Sequence, residues 1–144
     1  YSGCMKLLQK IFTPRPFIPY QIFKENGLRE LVENFYNVME TDPQAKDCLD
    51  VHELVDGKVE DHVKEKLFDF LSGWMGGPQL FMKKHGPPRM RARHMHVKIS
   101  EKEKEQWLYC MEKALSKSSV KIKQKHKKII YDSFTALAMR IQNT

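Results

Sequence analysis

Beyond Tyr20 the apolar residues of this chain recur every three or four positions, and no run alternates long enough to make a strand. That regularity restricts the chain to helices. Leu28, Val32, Phe35, Tyr36 and Met39 keep the spacing that lines up one face of a helix. The run "TDPQ" stops it, because Pro43 lacks the amide hydrogen an interior turn needs and suits the first turn of a new helix. A loop or short turn is expected at "VHELVDGK". From about Lys58 a longer helix carries Val63, Leu67, Phe70, Leu71 and Trp74 on one face, and Gly76–Pro78 ends it.

A second break, His85–Pro88, separates a short piece from the basic cluster "RMRARHMHVKIS". The run "SEKE" at Ser100–Glu103 is a capping box opening a helix with Trp107, Met111, Ala114 and Leu115 inward. A basic linker, residues 117–128, leads to a last helix bearing Ile122, Ile129, Ile130, Leu137 and Ile141. The expected fold is all-α, with roughly four substantial helices over residues 20–144. Residues 1–19, which hold three of the seven prolines, read as an N-terminal extension outside the core.

If residues 89–97 are helical, Met90, His94 and Val97 form an apolar strip while Arg89, Arg93 and His96 form a charged one. His94 then faces the core and His96 faces water. Periodicity alone leaves two readings of His94 open, a hydrogen-bonded core residue or a metal ligand.

At 144 residues and 41% apolar composition, the chain can bury one core. No segment reaches the ~18–20 consecutive apolar residues of a membrane span. The apolar run after Met5 is interrupted by Gln9 and Lys10, unlike a signal peptide. Cys4, Cys48 and Cys110 lie far apart with no CxxC pair, which argues against a disulfide framework or zinc knuckle and for a cytoplasmic location. The net charge of +7 admits an anionic partner. No aromatic interleaves the basic residues 121–128, so a base-stacking groove, and with it nucleic-acid binding, is not expected. A helical adaptor gripping an anionic partner through that segment is the competing class.

Four longer strings carry a more specific signal. "LVENFYNVMETDP" (31–43), "EKLFDFLSGWMGGPQLF" (65–81), "RMRARH" (89–94) and "QWLYCMEKAL" (106–115) together resemble the group II truncated haemoglobins. The likeness runs from about Phe23 to Leu115 and continues weakly through the last helix. It implies a truncated globin, a two-over-two helical sandwich around haem b, with the proximal helix reduced to a short turn. His94 matches the proximal axial iron ligand. Tyr36 and Trp107 match distal residues that donate hydrogen bonds to a bound gas, and His52 matches a position near the distal pocket that could add a third donor.

By the same resemblance Val63, Leu67, Phe70, Phe81 and Met90 line the haem, and Lys66 and Arg93 face its propionates. Val63 stands where the distal helix faces the ligand, so Tyr36 and Trp107 must supply the polarity. The implied ligands are O2, NO and CO, in a monomer or homodimer. Redox turnover of NO or peroxide would need a reductase as partner, and the chain has no GxGxxG motif of its own. The family pattern is broken at Pro87–Pro88 and at Met95-His96-Val97, which touches the proximal turn and leaves His96 as an alternative ligand.

Overall fold

A computed structural model describes residues 16–144. Its main helices are α1 (Pro19–Thr41), α3 (Asp61–Trp74), α6 (Glu101–Ser116) and α7 (Gln124–Ile141), joined through the shorter α2 (Lys46–Asp50), α4 (Leu80–His85) and α5 (Met90–His94). Helix α1 packs on α6 and α3, and α6 packs in turn on α7. The four long helices thus form two layers, with the core between them. Leu28, Leu31, Phe35 and Met39 of α1 meet Cys110, Met111 and Ala114 of α6 and Phe134 of α7, all fully enclosed.

The local chemistry behind the helix ends is explicit. Gly76, at φ 93°, takes the left-handed conformation that ends α3. Its neighbour's amide, Gly77 N–H, donates back to Ser72 O at 2.8 Å. At the start of α6 the Glu103 carboxylate accepts from the Ser100 amide at 3.0 Å and from its hydroxyl at 2.7 Å. That is the expected capping box.

The structure departs from the sequence reading at several points. Helix α1 breaks at Lys24, whose φ of 56° and ψ of −174° are not helical. Close by, Gly27 lets the connector before α7 press in, since a Cβ there would lie 2.8 Å from Val120 Cγ2. The segment read as a loop holds a small hairpin, Leu54↔Val59 and Val55↔Lys58, turning over Asp56-Gly57 with both residues at positive φ. Lys58 therefore lies in a strand, and α3 begins at Asp61.

The basic linker is also shorter than expected: Gln124–Lys128 form the opening turns of α7, and Ile122 precedes it. Ile129, among the apolar residues of that helix, is exposed. The described residues contain no helix long and apolar enough to cross a membrane.

Candidate functional site

A cavity of ≈ 480 Å³ opens between the layers and gathers every residue the sequence singled out: Tyr36, His52, Val63, Lys66, Leu67, Phe70, Phe81, Met90, Arg93, His94 and Trp107. The volume lies within the ~300–1,000 Å³ typical of small-molecule and cofactor sites. Val63, Leu67 and Phe70 enter along α3, one helical turn apart, and Phe81 follows on α4. Tyr36 comes from α1 and Trp107 from the first turns of α6.

An aromatic chain fixes the last two. Phe35 meets Tyr36 edge-on at 5.1 Å and Trp107 at 5.2 Å, and Trp107 meets Phe134 at 5.7 Å. Gln106 adds a polar pin: its carbonyl accepts from the Cys48 amide at 2.8 Å and its amide donates to Asp47 at 2.8 Å, tying α2 to α6.

Neither the Tyr36 hydroxyl nor the Trp107 indole N–H has a hydrogen-bond partner among the described residues. No buried side-chain nitrogen or oxygen there is orphaned, so both polar atoms are open to the cavity they line. Burial raises the Tyr36 phenol pKa well above its ordinary value, with smaller contributions from Cys48 and Glu40, so it stays protonated and a donor.

His94 ends α5 half-buried, with its Nδ1 2.6 Å from Met90 O. A carbonyl only accepts, so Nδ1 carries a proton, and in the neutral ring this leaves the lone pair on Nε2. His96 is exposed at the rim, as the strip analysis requires, although the helix stops at His94 rather than running to Val97. His52 repeats the arrangement on the opposite wall, Nδ1 lying 2.9 Å from Cys48 O. Burial foremost lowers its pKa and keeps the ring neutral. In that tautomer His52 offers the cavity an acceptor at Nε2, so acting as a third donor would require the imidazolium that burial opposes.

The cations stand at the mouth. Arg93 lies over Phe81, its Cζ 4.9 Å from the ring centroid, and donates to the carbonyls of His85 and Pro87 at 2.9 and 3.1 Å. Lys66 is exposed and forms no ion pair among the described residues.

The decisive support for His94 comes from a residue the sequence did not flag. Asn143, beyond α7, donates from Nδ2 to His94 O at 3.1 Å and Val97 O at 2.9 Å, while its Oδ1 accepts from the Ile99 amide at 2.9 Å. Arg91 Nη1 donates to the carbonyls of Arg140 and Gln142, each at 2.9 Å. Both link positions some fifty apart, and no local pattern signals them. Cys48, Val51, Lys104 and Ala138 also line the cavity without having been anticipated there.

These residues fit a haem. His94 lines a largely apolar slot with its Nε2 free of a hydrogen-bond partner among the described residues, two unpartnered donors open onto the same slot, and cations rim the entrance.

Comparison with known proteins agrees. A model of the bacterial-like globin family matches residues 21–143. A group 2 truncated hemoglobin of Bacillus subtilis (strain 168) is 33% identical over 97 residues, covering 67% of this chain and 68% of that one. Among solved structures, the cold-adapted truncated hemoglobin of Pseudoalteromonas haloplanktis TAC125 superposes with a TM-score of 0.81 at 37% identity, over 89% of this chain and 99% of the other. The group II 2-on-2 hemoglobin of Agrobacterium tumefaciens gives 0.80 at 29% identity, over 92% and 98%.

Proposed function

This chain belongs to the group II truncated haemoglobins, within the bacterial-like globin family, and from that premise we propose that it binds O2 reversibly, together with NO and CO, at a b-type haem held by His94. When bound, the haem supplies an iron atom with a coordination position for a diatomic gas. His94 Nε2 is the proximal donor. Its ring is oriented by the Nδ1–H bond to Met90 O, which also raises the basicity of the donating nitrogen. Asn143 holds the carbonyl of the same residue, so backbone and ring are both fixed.

On the other wall Tyr36 and Trp107 donate toward the gas. Each hydrogen bond to a partly charged acceptor is worth about 1.5–3 kcal/mol, or roughly one to two decades in release rate. Val63 and Leu67 keep that side apolar. Lys66 and Arg93 orient the propionates more than they retain the cofactor, because exposed pairs contribute under ~1 kcal/mol.

One observation carries this reading: the His94 lone pair and the two unpartnered donors open onto one cavity. Reconstitution with haem, read by visible absorption, tests it. The Soret band is expected to survive His96→Ala and to be lost in His94→Ala. The same donor pair suits oxidative removal of NO or reduction of peroxide, for which a reductase would be the partner; steady-state consumption of either with an added electron donor separates that activity from simple carriage.

A further inference from the structure

Behind α5, on the side away from the distal donors, lies a second groove of ≈ 830 Å³. Its floor is apolar: Phe70 and Trp74 of α3, Met90 of α5, and Leu137 and Ile141 of α7. Met95 extends that surface outward, 56% exposed despite its size. The polar residues that line it are Arg89, Arg91 and Arg140, and no acidic residue does. None of the three guanidinium groups pairs with a carboxylate among the described residues. Arg91 spends Nη1 on two backbone carbonyls, whereas Arg89 and Arg140 make no side-chain hydrogen bond there. Arg89 is held in the left-handed region, φ 39° and ψ 56°, a conformation rarely tolerated outside glycine, asparagine and aspartate.

We infer that this groove is a binding site for a long-chain fatty acid anion, its carboxylate between Arg89 and Arg140 and its acyl chain on Trp74, Met95 and Leu137. An apolar trough alone would accept any greasy partner. The two uncommitted guanidiniums, Arg89 and Arg140, select an anionic head, because each offers the planar fork that matches a carboxylate. A flexible acyl chain can lie along an open trough of this size. The groove shares Phe70, Met90, Leu137 and Ile141 with the haem cavity, so a single layer of side chains separates the two. Met90 is the residue whose carbonyl holds the His94 ring. An occupied groove therefore bears on the proximal histidine, a consequence that rests on the reading of His94 above, whereas the binding itself does not.

The test is calorimetric titration of the haem-loaded full chain with dodecanoate below its micellar concentration, beside dodecanol and dodecyltrimethylammonium. One site per chain is expected for dodecanoate, tightening by about fourfold per added methylene, with dodecanol weaker and the cationic chain weakest. Arg89→Gln and Arg140→Gln should each weaken dodecanoate by about tenfold, a loss of one charge-assisted bond, and leave dodecanol unchanged. Saturation with CO should leave the affinity intact, and dodecanoate should shift the iron–histidine stretching band.

Failure of dodecanoate to bind, equal affinity for the three chains, or insensitivity to both arginine substitutions would overturn the site. So would loss of binding under CO, which would place the acid in the distal cavity. A concentration-dependent dimer whose dissociation is required for binding would assign the groove to a second copy instead. If binding survives every control while the iron–histidine band stays fixed, the site stands and its coupling to His94 is wrong.

Discussion

On one wall of the cavity, the distal one under the proposed placement of haem, Tyr36 and Trp107 ride on helices of 23 and 16 residues, wedged by Phe35 and Phe134. On the other, His94 closes a helix of five residues with no buried side chain at all. The distal wall is therefore positioned by packing, and the proximal wall by hydrogen bonds that Asn143 and Arg91 make across to the end of α7. Packing is dense and tolerates little displacement. A short exposed turn has no such constraint, so its geometry depends on the partners of its carbonyls. The difference says which substitutions should alter gas chemistry and which should alter retention of the cofactor.

The largest expected effect separates the two histidines of the proximal turn. His94→Ala abolishes stoichiometric haem binding, whereas His96→Ala leaves it intact, read by the Soret band after gel filtration. Next come the distal donors: Tyr36→Phe and Trp107→Phe each raise the O2 dissociation rate by about ten- to a hundredfold, measured by stopped-flow, with haem affinity unchanged. If both variants release O2 at the parental rate, singly and together, these side chains do not face the ligand.

Asn143→Ala should show the reverse profile. It strands the His94 and Val97 carbonyls and the Ile99 amide, at about 1–3 kcal/mol, and is expected to speed haem transfer to an acceptor globin by about tenfold while O2 release changes little. A variant that altered only O2 release would erase the contrast between the walls.

The smallest effect concerns the cap that leads from the proximal turn into α6. Hydrogen bonds from the Ser100 amide foremost, and from its hydroxyl, hold the Glu103 carboxyl below the usual carboxylate range. A depressed folded-state pKa stabilises fully above the unfolded value of about 4.3, and the contribution is lost as pH falls through the lower folded value. Glu103→Gln should thus flatten the acid limb of the stability curve. Ser100→Ala should cost about 1 kcal/mol near neutrality by urea denaturation.

The same contrast explains how much could be read from the residues. The wall that carries Tyr36 and Trp107 was legible because periodicity records packing: both sit on apolar stripes, and the burial of Tyr36 and half-burial of Trp107 follow from the stripe. The inward turn of His94 and the capping box at Ser100 were legible for the same local reason. What was not legible depends on remote partners or on backbone conformation. Asn143 reaches His94 across 49 positions, and Gln106 reaches Cys48 across 58. The break at Lys24 sits inside a helical stripe that masks it. The Asp56-Gly57 hairpin carried its turn signal, but its strands of two residues are too short for alternation to register. The opening of α7 reads as linker because its lysines mark it as solvated, although lysine is a good helix former.

Resonance Raman spectroscopy of the ferrous, ligand-free protein reaches the central assignment most directly, because the iron–histidine stretch reports the bond itself. The band should be present in the parent and in His96→Ala, absent in His94→Gly, and restored to His94→Gly by added imidazole. A band that persists in His94→Gly without imidazole, or that vanishes in His96→Ala, contradicts the account.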